Sequence, residues 1–320
     1  ISREITIKPV DLSKIYDGEI LFSNDVIIDS NSKYDIIYNH RLLTKTSGEI
    51  TNVGRVESKI TSYEIYDEND IIQTSNYSVI IVDGVLEITK RPIIINPKDL
   101  KKVYDGLELS GSILELDSNS PYQMVLDHRV ISNTLGFITD VGIETNKIIS
   151  HTIVDSLNND LSFNYDCTYE VGTLEVTLRK IIVESNSNSK VYDGLELSEL
   201  GFNIESGNLV LDHKIEVLNH NNLIEVGSIY NILEYLITDS LNNNKTNNYE
   251  IINSYGLLSI SKRELTIKLD NKSKEYDGLA LTSDTVSVFF GNLVLDHYVV
   301  VKANGNIINV GTKDNTITSH

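Results

Sequence analysis

Apolar and polar residues alternate over short segments that recur along the chain. Residues 86–88, 174–176 and 258–260 each place two apolar side chains two positions apart, which is the pattern of a β-strand with one buried face. Residues 5–7, 93–95, 181–183 and 265–267 are rich in β-branched side chains, which favour strands. Asp, Asn and Ser cluster between such segments and indicate turns, as in residues 67–70, 155–160 and 239–244. The pattern predicts β-structure throughout.

One segment has a competing pattern. Ile229, Ile232, Leu233, Leu236 and Ile237 follow the spacing of an amphipathic helix. The corresponding segments nearer the N-terminus lack that spacing. We therefore predict a strand in this segment as well.

An ordered set of residues recurs along the chain at nearly constant spacing. Tyr-Asp-Gly occurs four times, with a lysine two residues before each tyrosine and a histidine 24, 24, 21 and 21 residues after it. The glycine of a Val-Gly pair follows each histidine after 14 residues, and an Asn-Tyr pair and a basic pair come later. Such self-similarity is the signature of a repeat protein. The recurring residues are Lys14, Tyr16, Asp17, Gly18, His40, Gly54 and Tyr77; Lys102, Tyr104, Asp105, Gly106, His128, Gly142 and Tyr165; Lys190, Tyr192, Asp193, Gly194, His213, Gly227 and Tyr249; and Lys274, Tyr276, Asp277, Gly278, His297 and Gly311.

The repeat predicts four domains. We place repeat 1 at residues 1–90, repeat 2 at 91–178, repeat 3 at 179–262 and an incomplete repeat 4 at 263–320. The junctions lack the length and Gly/Ser content of flexible linkers. We therefore expect a tandem array of small two-layer β domains arranged as an elongated, semi-rigid rod. Because residues 1–3 resemble the end of a preceding repeat and repeat 4 is partial, we also expect the array to extend beyond this piece in both directions.

Composition restricts the partners of the chain. The 46 acidic and 27 basic residues give a formal charge of −19 and a pI near 4.7, which disfavours binding to nucleic acid or anionic lipid. A hydrophobic content of 40% is too high for a disordered acidic tail. No apolar run reaches 18 residues, so we expect no direct insertion into a membrane.

The single cysteine, Cys167, excludes an intrachain disulfide and a Cys-based zinc site. It occupies a position that is also apolar in the other repeats, where Val79 and Ile251 stand. We interpret it as a small core residue whose thiol burial makes unreactive.

Three features carry candidate chemistry, each with a structural alternative. Lys-x-Tyr-Asp-Gly could place a lysine beside a catalytic tyrosine, but four copies favour a strand that ends in a turn, with a packed tyrosine and an aspartate bonded to backbone amides. The histidines beside Asp or Asn could bind a metal. Because neighbouring residues on a strand point to opposite faces, such a pair would be a poor chelate, and we predict instead that each pair ends a strand. The acidic turns offer oxygen ligands for Ca²⁺ but lack a complete calcium-loop signature, which favours solvated hairpin turns.

A covalent cross-link is a further possibility. Some surface domains form Lys–Asn isopeptide bonds, and three Lys and Asn pairs recur at matching positions. That reaction needs a buried apolar pocket and a neighbouring acid, and the sequence indicates neither. The pairs are Lys14 with Asn76, Lys102 with Asn164, and Lys190 with Asn248.

Lys-x-Tyr-Asp-Gly, followed by Asp-His, Val-Gly, Asn-Tyr and Gly-x-Leu-x-Ile before a basic residue, resembles the MBG/YDG-type repeats of bacterial surface proteins. The resemblance covers essentially the whole chain. It implies an Ig-like sandwich or β-grasp-like fold, an extracellular location and no catalytic residues, often within a large adhesin or wall-anchored protein of Gram-positive bacteria. Two departures are Asp-His or Asn-His where the family commonly has Gly-His, and a first repeat without Leu-x-Leu after Tyr-Asp-Gly.

These observations predict a non-enzymatic repeat region of a secreted bacterial protein, located at the cell surface. It would act as a stalk that projects an adhesive or other functional region, with neighbouring repeats of the same longer chain as its partners. Two alternatives remain: multivalent binding of host glycans or glycoproteins by the repeats, and a role as a subunit of a surface-layer or filament polymer. No catalytic residue, metal ligand or cofactor is predicted, with Ca²⁺ as a minor possibility.

Overall fold

The computed structural model describes all 320 residues and is all-β, which confirms the predicted fold class. Repeat 1 contains β1 (Arg3–Pro9), β2 (Leu12–Ile15), β3 (Leu21–Phe22), β4 (Val26–Ile28), β5 (Arg41–Ser47), β6 (Glu49–Ile50), β7 (Gly54–Tyr66), β8 (Tyr77–Ile81) and β9 (Gly84–Thr89). Repeat 2 contains β10 (Arg91–Pro97), β11 (Leu100–Val103), β12 (Leu114–Leu116), β13 (Arg129–Leu135), β14 (Gly142–Val154), β15 (Tyr165–Tyr169) and β16 (Gly172–Thr177).

The C-terminal half continues the series. Repeat 3 contains β17 (Arg179–Ser185), β18 (Asn188–Val191), β19 (Phe202–Ser206), β20 (Lys214–His220), β21 (Gly227–Tyr230), β22 (Leu233–Thr238), β23 (Tyr249–Ser254) and β24 (Leu257–Ser261). Repeat 4 contains β25 (Thr266–Leu269), β26 (Val286–Phe290), β27 (Lys302–Ala303) and β28 (Ile317–Ser319). The only helical elements are 3₁₀ turns at Thr74–Asn76, Ser162–Asn164 and Thr246–Asn248, and none of them could span a membrane.

Two sheets form the body of repeat 1, with strand orders β4-β1-β8 and β2-β9-β7-β5. β1 and β8 are parallel and place Arg3 opposite Tyr77, while β2 and β9 are parallel and place Leu12 opposite Leu86. The long strand β7 is antiparallel to both β9 and β5. Repeat 2 has the same arrangement, with orders β12-β10-β15 and β11-β16-β14-β13. In repeats 1 and 2 the first strand therefore pairs with the second-last strand, and the second strand pairs with the last.

The core of repeat 1 contains the inward side chains of both sheets. Ile5, Ile7, Ile65 and Tyr77 are buried together. β1 has alternating burial, as the sequence pattern predicts for a strand with one buried face.

A second core cluster continues across the boundary between repeats 1 and 2. Tyr16 and Ile88 of repeat 1 pack with a set of repeat 2 residues, and all of them are at most 3% exposed. The repeat 2 members are Ile93, Ile95, Ile153 and Tyr165. Repeat 1 therefore contributes two side chains to the core of its successor.

The contacts divide the chain into two compact units. The first contains Ile1–Val103 and Leu107–Thr177, and the second contains Tyr104–Gly106 and Leu178–His320. The tripeptide Tyr104-Asp105-Gly106 thus groups with repeat 3, although the residues on both sides of it belong to the first unit. The boundaries at 90, 178 and 262 stay a prediction.

Two local expectations need comment. The segment with helical spacing forms β21 and β22, so the strand prediction is confirmed there. The expectation that Asp-His ends a strand is wrong, because His128 precedes β13 and its backbone N–H donates to the Val125 carbonyl, 3.1 Å away, in a tight turn. Asp127 has a φ of +64°, and Asn39, Asp212 and Asp296 have φ values of 65–70°. Asp, Asn and Gly all tolerate this conformation, which accounts for the residue types at this position.

Candidate functional site: the tyrosine junction

The Lys-x-Tyr-Asp-Gly motif folds into a self-contained turn. Lys14 Nζ donates to Asp17 Oδ1 at 2.6 Å and to the Glu19 carbonyl at 2.8 Å, while the Glu19 N–H donates to Asp17 Oδ1 at 3.0 Å. The Tyr16 N–H donates to the Thr89 carbonyl at 2.9 Å, which fixes the turn to the end of β9. In repeat 3, the hydrogen bond from Lys190 lowers the pKa of Asp193. The lysine and the aspartate therefore hold the turn, and the tyrosine side chain is left to project from it.

The side chain of Tyr16 lies in repeat 2. It is 2% exposed, and its ring centroid is 5.7 Å from that of Tyr165, edge to face, and 6.1 Å from that of His128. Tyr104 has the same environment in the second unit: it is 1% exposed, with its ring 5.8 Å from Tyr249 and 5.9 Å from His213. Such aromatic pairs contribute about 0.5–1.5 kcal/mol beyond the area they bury.

A histidine and a tyrosine form the floor of the receiving site. His128 Nδ1 and Tyr165 OH are 2.7 Å apart, and the Val125 N–H donates to the same hydroxyl at 3.2 Å. Because the hydroxyl accepts from Val125, its own proton is available to Nδ1 of a neutral imidazole that carries its proton on Nε2. Burial lowers the pKa of His128 and raises the pKa of Tyr165 to about 12, which keeps both groups uncharged at neutral pH.

An arginine fixes the main chain of the incoming turn. Arg91 Nε donates to the Gln123 carbonyl at 2.6 Å, and Nη1 donates to the Tyr16 carbonyl at 3.0 Å. The guanidinium group also stacks over Tyr122 at 4.9 Å. Arg179 and Arg263 make the same contacts at 3.2 Å with the carbonyls of Tyr104 and Tyr192. In repeats 3 and 4 the main-chain carbonyl that accepts from Nε belongs to an asparagine, Asn208 or Asn292, and the side-chain Oδ1 of that asparagine also accepts from Nη2.

The asparagine of the Asn-Tyr pair makes a second connection to the preceding repeat. Asn164 is fully buried, and its Oδ1 accepts a hydrogen bond from the Val53 N–H at 2.9 Å. Its Nδ2 donates to Asn52 Oδ1 at 3.0 Å. Val53 belongs to the Val-Gly pair of repeat 1, so this contact joins the Val-Gly pair of one repeat to the Asn-Tyr pair of the next.

The four residues that receive the turn are here called the tyrosine socket. The sockets are Arg91, His128, Asn164 and Tyr165 in repeat 2; Arg179, His213, Asn248 and Tyr249 in repeat 3; and Arg3, His40, Asn76 and Tyr77 in repeat 1.

The glycine of Tyr-Asp-Gly serves both the turn and the junction. Gly106 has a φ of +77°, and a Cβ there would lie 2.8 Å from Val210 Cγ1. Gly18 has a φ of +83°, and a Cβ there would lie 3.0 Å from Val125 Cγ1. Both the backbone conformation and the close approach therefore favour glycine.

The last two tyrosines differ from the first two. Tyr192 is half-buried, with its ring 5.9 Å from His297, and repeat 4 has no Asn-Tyr pair to complete the socket. Tyr276 is 65% exposed. Burial of the motif tyrosine therefore follows how much of the next repeat is present in residues 1–320.

Sequence reasoning identified the packed tyrosine and the aspartate that bonds to a backbone amide. It missed the socket arginine and the asparagine contact, and it did not place the tyrosine in the following repeat. One signal was available, because an arginine follows the motif tyrosine after 75, 75 and 71 residues. The constant separation points to a contact between the two residues.

The other candidate sites have local partners. Asp155 Oδ1 accepts from the backbone N–H groups of Leu157 and Asn159, each at 2.9 Å, and Oδ2 accepts from Asn159 Nδ2 at 2.8 Å. These hydrogen bonds lower the pKa of Asp155, and its oxygens serve the turn. No group of three or more His, Cys, Asp or Glu side chains has a metal-binding arrangement. Cys167 is half-buried, and burial raises the pKa of its thiol to about 11, so the thiolate is a minor form at neutral pH.

The Lys and Asn pairs considered for an isopeptide bond have separate partners. Lys14 Nζ bonds to Asp17 and the Glu19 carbonyl, whereas Asn76 Nδ2 donates to Gln73 Oε1 at 2.7 Å. Asn164 bonds to Asn52 and Val53. These contacts do not favour a cross-link.

Comparisons with known proteins identify no family. No protein-family model matches the chain, and no curated protein matches it. Among solved structures, Drosophila N-cadherin EC1-4 is similar over 82% of this chain and 76% of its own, with 9% identity and a TM-score of 0.20. The N-terminal eight Ig domains of Down Syndrome Cell Adhesion Molecule isoform 1.30.30 are similar over 87% of this chain and 45% of their own, with 11% identity and a TM-score of 0.18. TM-scores this low carry no argument about function.

Proposed function

We propose that this chain is a non-enzymatic repeat region of a bacterial surface protein and acts as a stalk. The observation that supports this most directly is the use of the recurring residues. Tyr16, Asp17 and Gly18 are engaged in the turn and in the junction with the next repeat, as are the socket residues that hold them. Residues retained for packing between repeats suit a spacer better than a reaction centre.

The junction chemistry fits a spacer that resists bending. The contact between repeats 1 and 2 has three parts, which come from separate segments of the chain. They are the buried ring of Tyr16, the hydrogen bond that Arg91 donates to a main-chain carbonyl, and the hydrogen bond that Asn164 accepts from a backbone N–H. Three such contacts restrict rotation more than a single flexible linker would. The net charge of −19 would keep neighbouring stalks apart by repulsion.

Multivalent binding of glycans through the motif tyrosines has less support. Stacking on a sugar requires an accessible ring face, and Tyr16 and Tyr104 are 2% and 1% exposed.

Small-angle X-ray scattering tests the stalk proposal. We compare the wild-type chain with the double variant Tyr16→Ala/Tyr104→Ala, and use Tyr276→Ala as the matched control. A stalk predicts an elongated, stiff wild-type particle, a more flexible double variant and an unchanged control. A collapsed or freely jointed wild-type particle would contradict the proposal.

The location needs a separate experiment. Antibodies raised against the chain should label intact cells of the source bacterium, and external protease should remove the signal. Labelling only after the cells are opened would exclude a surface role.

A further inference from the structure

The first two strands of each complete repeat lie parallel to its last two strands, in one constant register. In repeat 1 we call residues 3–15 the entry segment and residues 77–89 the exit segment. Each paired entry residue lies opposite the residue 74 positions later, in both sheets. The separation is equally constant in the other complete repeats, at 74 for residues 91–103 with 165–177 and at 70 for residues 179–191 with 249–261.

The two segments remain connected where they pass together from one sheet to the other. The Val85 N–H donates to Asp11 Oδ1 at 2.8 Å, so a side chain bridges the gap between the two backbone ladders. Gly84 lies at the crossing, where a Cβ would be 2.7 Å from the Pro9 carbonyl oxygen. The equivalent bridges run from the Thr173 N–H to Asp99 Oδ1 at 2.7 Å and from the Leu257 N–H to Ser187 Oγ at 2.9 Å.

The paired segments also line the core of the repeat. Ile5 and Ile7 of the entry segment and Leu86 and Ile88 of the exit segment are at most 1% exposed. Backbone hydrogen bonds beside such a dry core are electrostatically stronger than hydrogen bonds in water. Separation of the two segments would therefore break well-shielded bonds and expose apolar side chains at the same time.

Tension along the chain would load this pairing in shear. Such tension pulls the entry segment by its N-terminal end and the exit segment by its C-terminal end. Because the segments are parallel, the two pulls act along the strands in opposite directions, and the evenly spaced hydrogen bonds of a parallel pair share the load. In repeat 1 the exit segment ends at Thr89 and the next strand begins at Arg91, so only Lys90 separates the loaded strands of neighbouring repeats.

The tyrosine junction fastens the end at which tension leaves repeat 1. Tyr16 directly follows the entry segment, and its N–H donates to the Thr89 carbonyl at 2.9 Å. Its own carbonyl accepts from Arg91 Nη1 at 3.0 Å. Sliding of the entry segment toward the N-terminus would break both bonds and withdraw the Tyr16 ring from the core that it shares with repeat 2.

We propose that the paired entry and exit segments form a shear clamp, with which each complete repeat bears tension applied through the ends of the chain. The motif tyrosine fastens this clamp to the following repeat. The clamp rests on the proposed function, because a stalk transmits force between the cell and whatever its far end holds. The two can still fail separately, since an elongated and stiff particle need not resist extension.

Single-molecule force spectroscopy on the full chain tests the clamp by pulling repeat 1 in two directions. In both cases one handle is attached to the N-terminus. The second handle is attached through Lys90→Cys, which loads the segments in shear, or through Ser75→Cys, which pulls them apart from the end where Arg3 faces Tyr77. Both attachment sites are exposed.

The native cysteine is removed in both chains by Cys167→Val, since valine stands at the corresponding position of repeat 1. At one pulling rate, the unfolding force should be at least about two-fold higher in shear, because forced unfolding follows the unfolding rate and shear requires many bonds to break together. Equal forces in the two directions would overturn the clamp. Small-angle scattering of the same chains reports separately whether they are elongated.

A variant tests the fastening by the motif tyrosine. Tyr16→Ala should lower the force in shear and leave the force in the other direction unchanged, because Tyr16 lies at the far end from the point where that separation begins. Tyr276→Ala is the matched control, because its ring is 65% exposed. Hydrogen exchange of β1 and β8 verifies that each variant remains folded. An equal loss of force in both directions, or no loss in shear, would contradict the fastening role of Tyr16.

Discussion

Arg91 donates a hydrogen bond to the main-chain carbonyl of Tyr16, which lies 75 residues earlier and in the preceding repeat. Arg91 is the first residue of β10, and the Tyr16 ring lies in the core that β10 helps to form. The contact therefore couples the Tyr-Asp-Gly turn of one repeat to the first strand of the next.

Removal of the inserted ring should loosen the junction. Tyr16→Ala should destabilise the contact between repeats 1 and 2 by about 3–5 kcal/mol, as for other large-to-small substitutions of buried aromatic residues. Hydrogen exchange at the Val125 and Asn164 amides reports this change. Tyr276→Ala is the control, because Tyr276 is 65% exposed, and an equal effect there would contradict the packing argument.

Alanine substitutions at two motif glycines allow the cost of backbone strain to be measured separately from the cost of steric crowding. Gly106→Ala and Gly278→Ala introduce a Cβ at nearly the same φ, +77° and +80°. Only the Cβ at 106 meets a neighbour, Val210 Cγ1 at 2.8 Å. In both variants the free energy of unfolding should fall by about 1 kcal/mol because of backbone strain. In Gly106→Ala it should fall by about 1–3 kcal/mol more because of overpacking. Thermal unfolding compares the two, and identical losses would show that the junction tolerates the added methyl group.

The two asparagines should respond differently to the same change. Asn164→Ala removes the acceptor of the Val53 N–H and should cost about 1–3 kcal/mol, because a donor is left without a partner inside the junction. Asn76→Ala removes an exposed side chain and should cost less than about 0.5 kcal/mol. Urea unfolding monitored by hydrogen exchange measures both losses. A larger loss for Asn76→Ala would be inconsistent with the structure.

The junction should weaken in mild acid. Burial lowers the pKa of His128 in the folded state, while Asp155 and Asp127 oppose that effect. The neutral imidazole is therefore favoured by folding, so the stability is fully present above the unfolded pKa of about 6.5 and is lost as the pH falls through the lower folded pKa. Exchange of the Val125 amide, measured between pH 8 and pH 5, should show the loss. His128→Gln should flatten the profile, whereas substitution of the exposed His320 should leave it unchanged.

The β class was predictable because strand alternation is a local property, as Leu86, Glu87 and Ile88 illustrate. The turn role of Asp17 was predictable for the same reason, since its partners lie two and three residues away. The role of Asn164 was not, because its partners lie 111 and 112 residues away and depend on how two repeats pack. A motif of short spacing can therefore be interpreted from sequence, whereas a contact between repeats needs the three-dimensional arrangement.

The shared core around Tyr16 makes repeats 1 and 2 depend on each other. If repeat 2 unfolds, repeat 1 exposes an aromatic side chain and loses the arginine that anchors its turn. If repeat 1 unfolds, the core of repeat 2 loses the side chains of Tyr16 and Ile88, and the buried Asn164 loses Asn52 and Val53 as partners. The two repeats should therefore unfold as one cooperative unit.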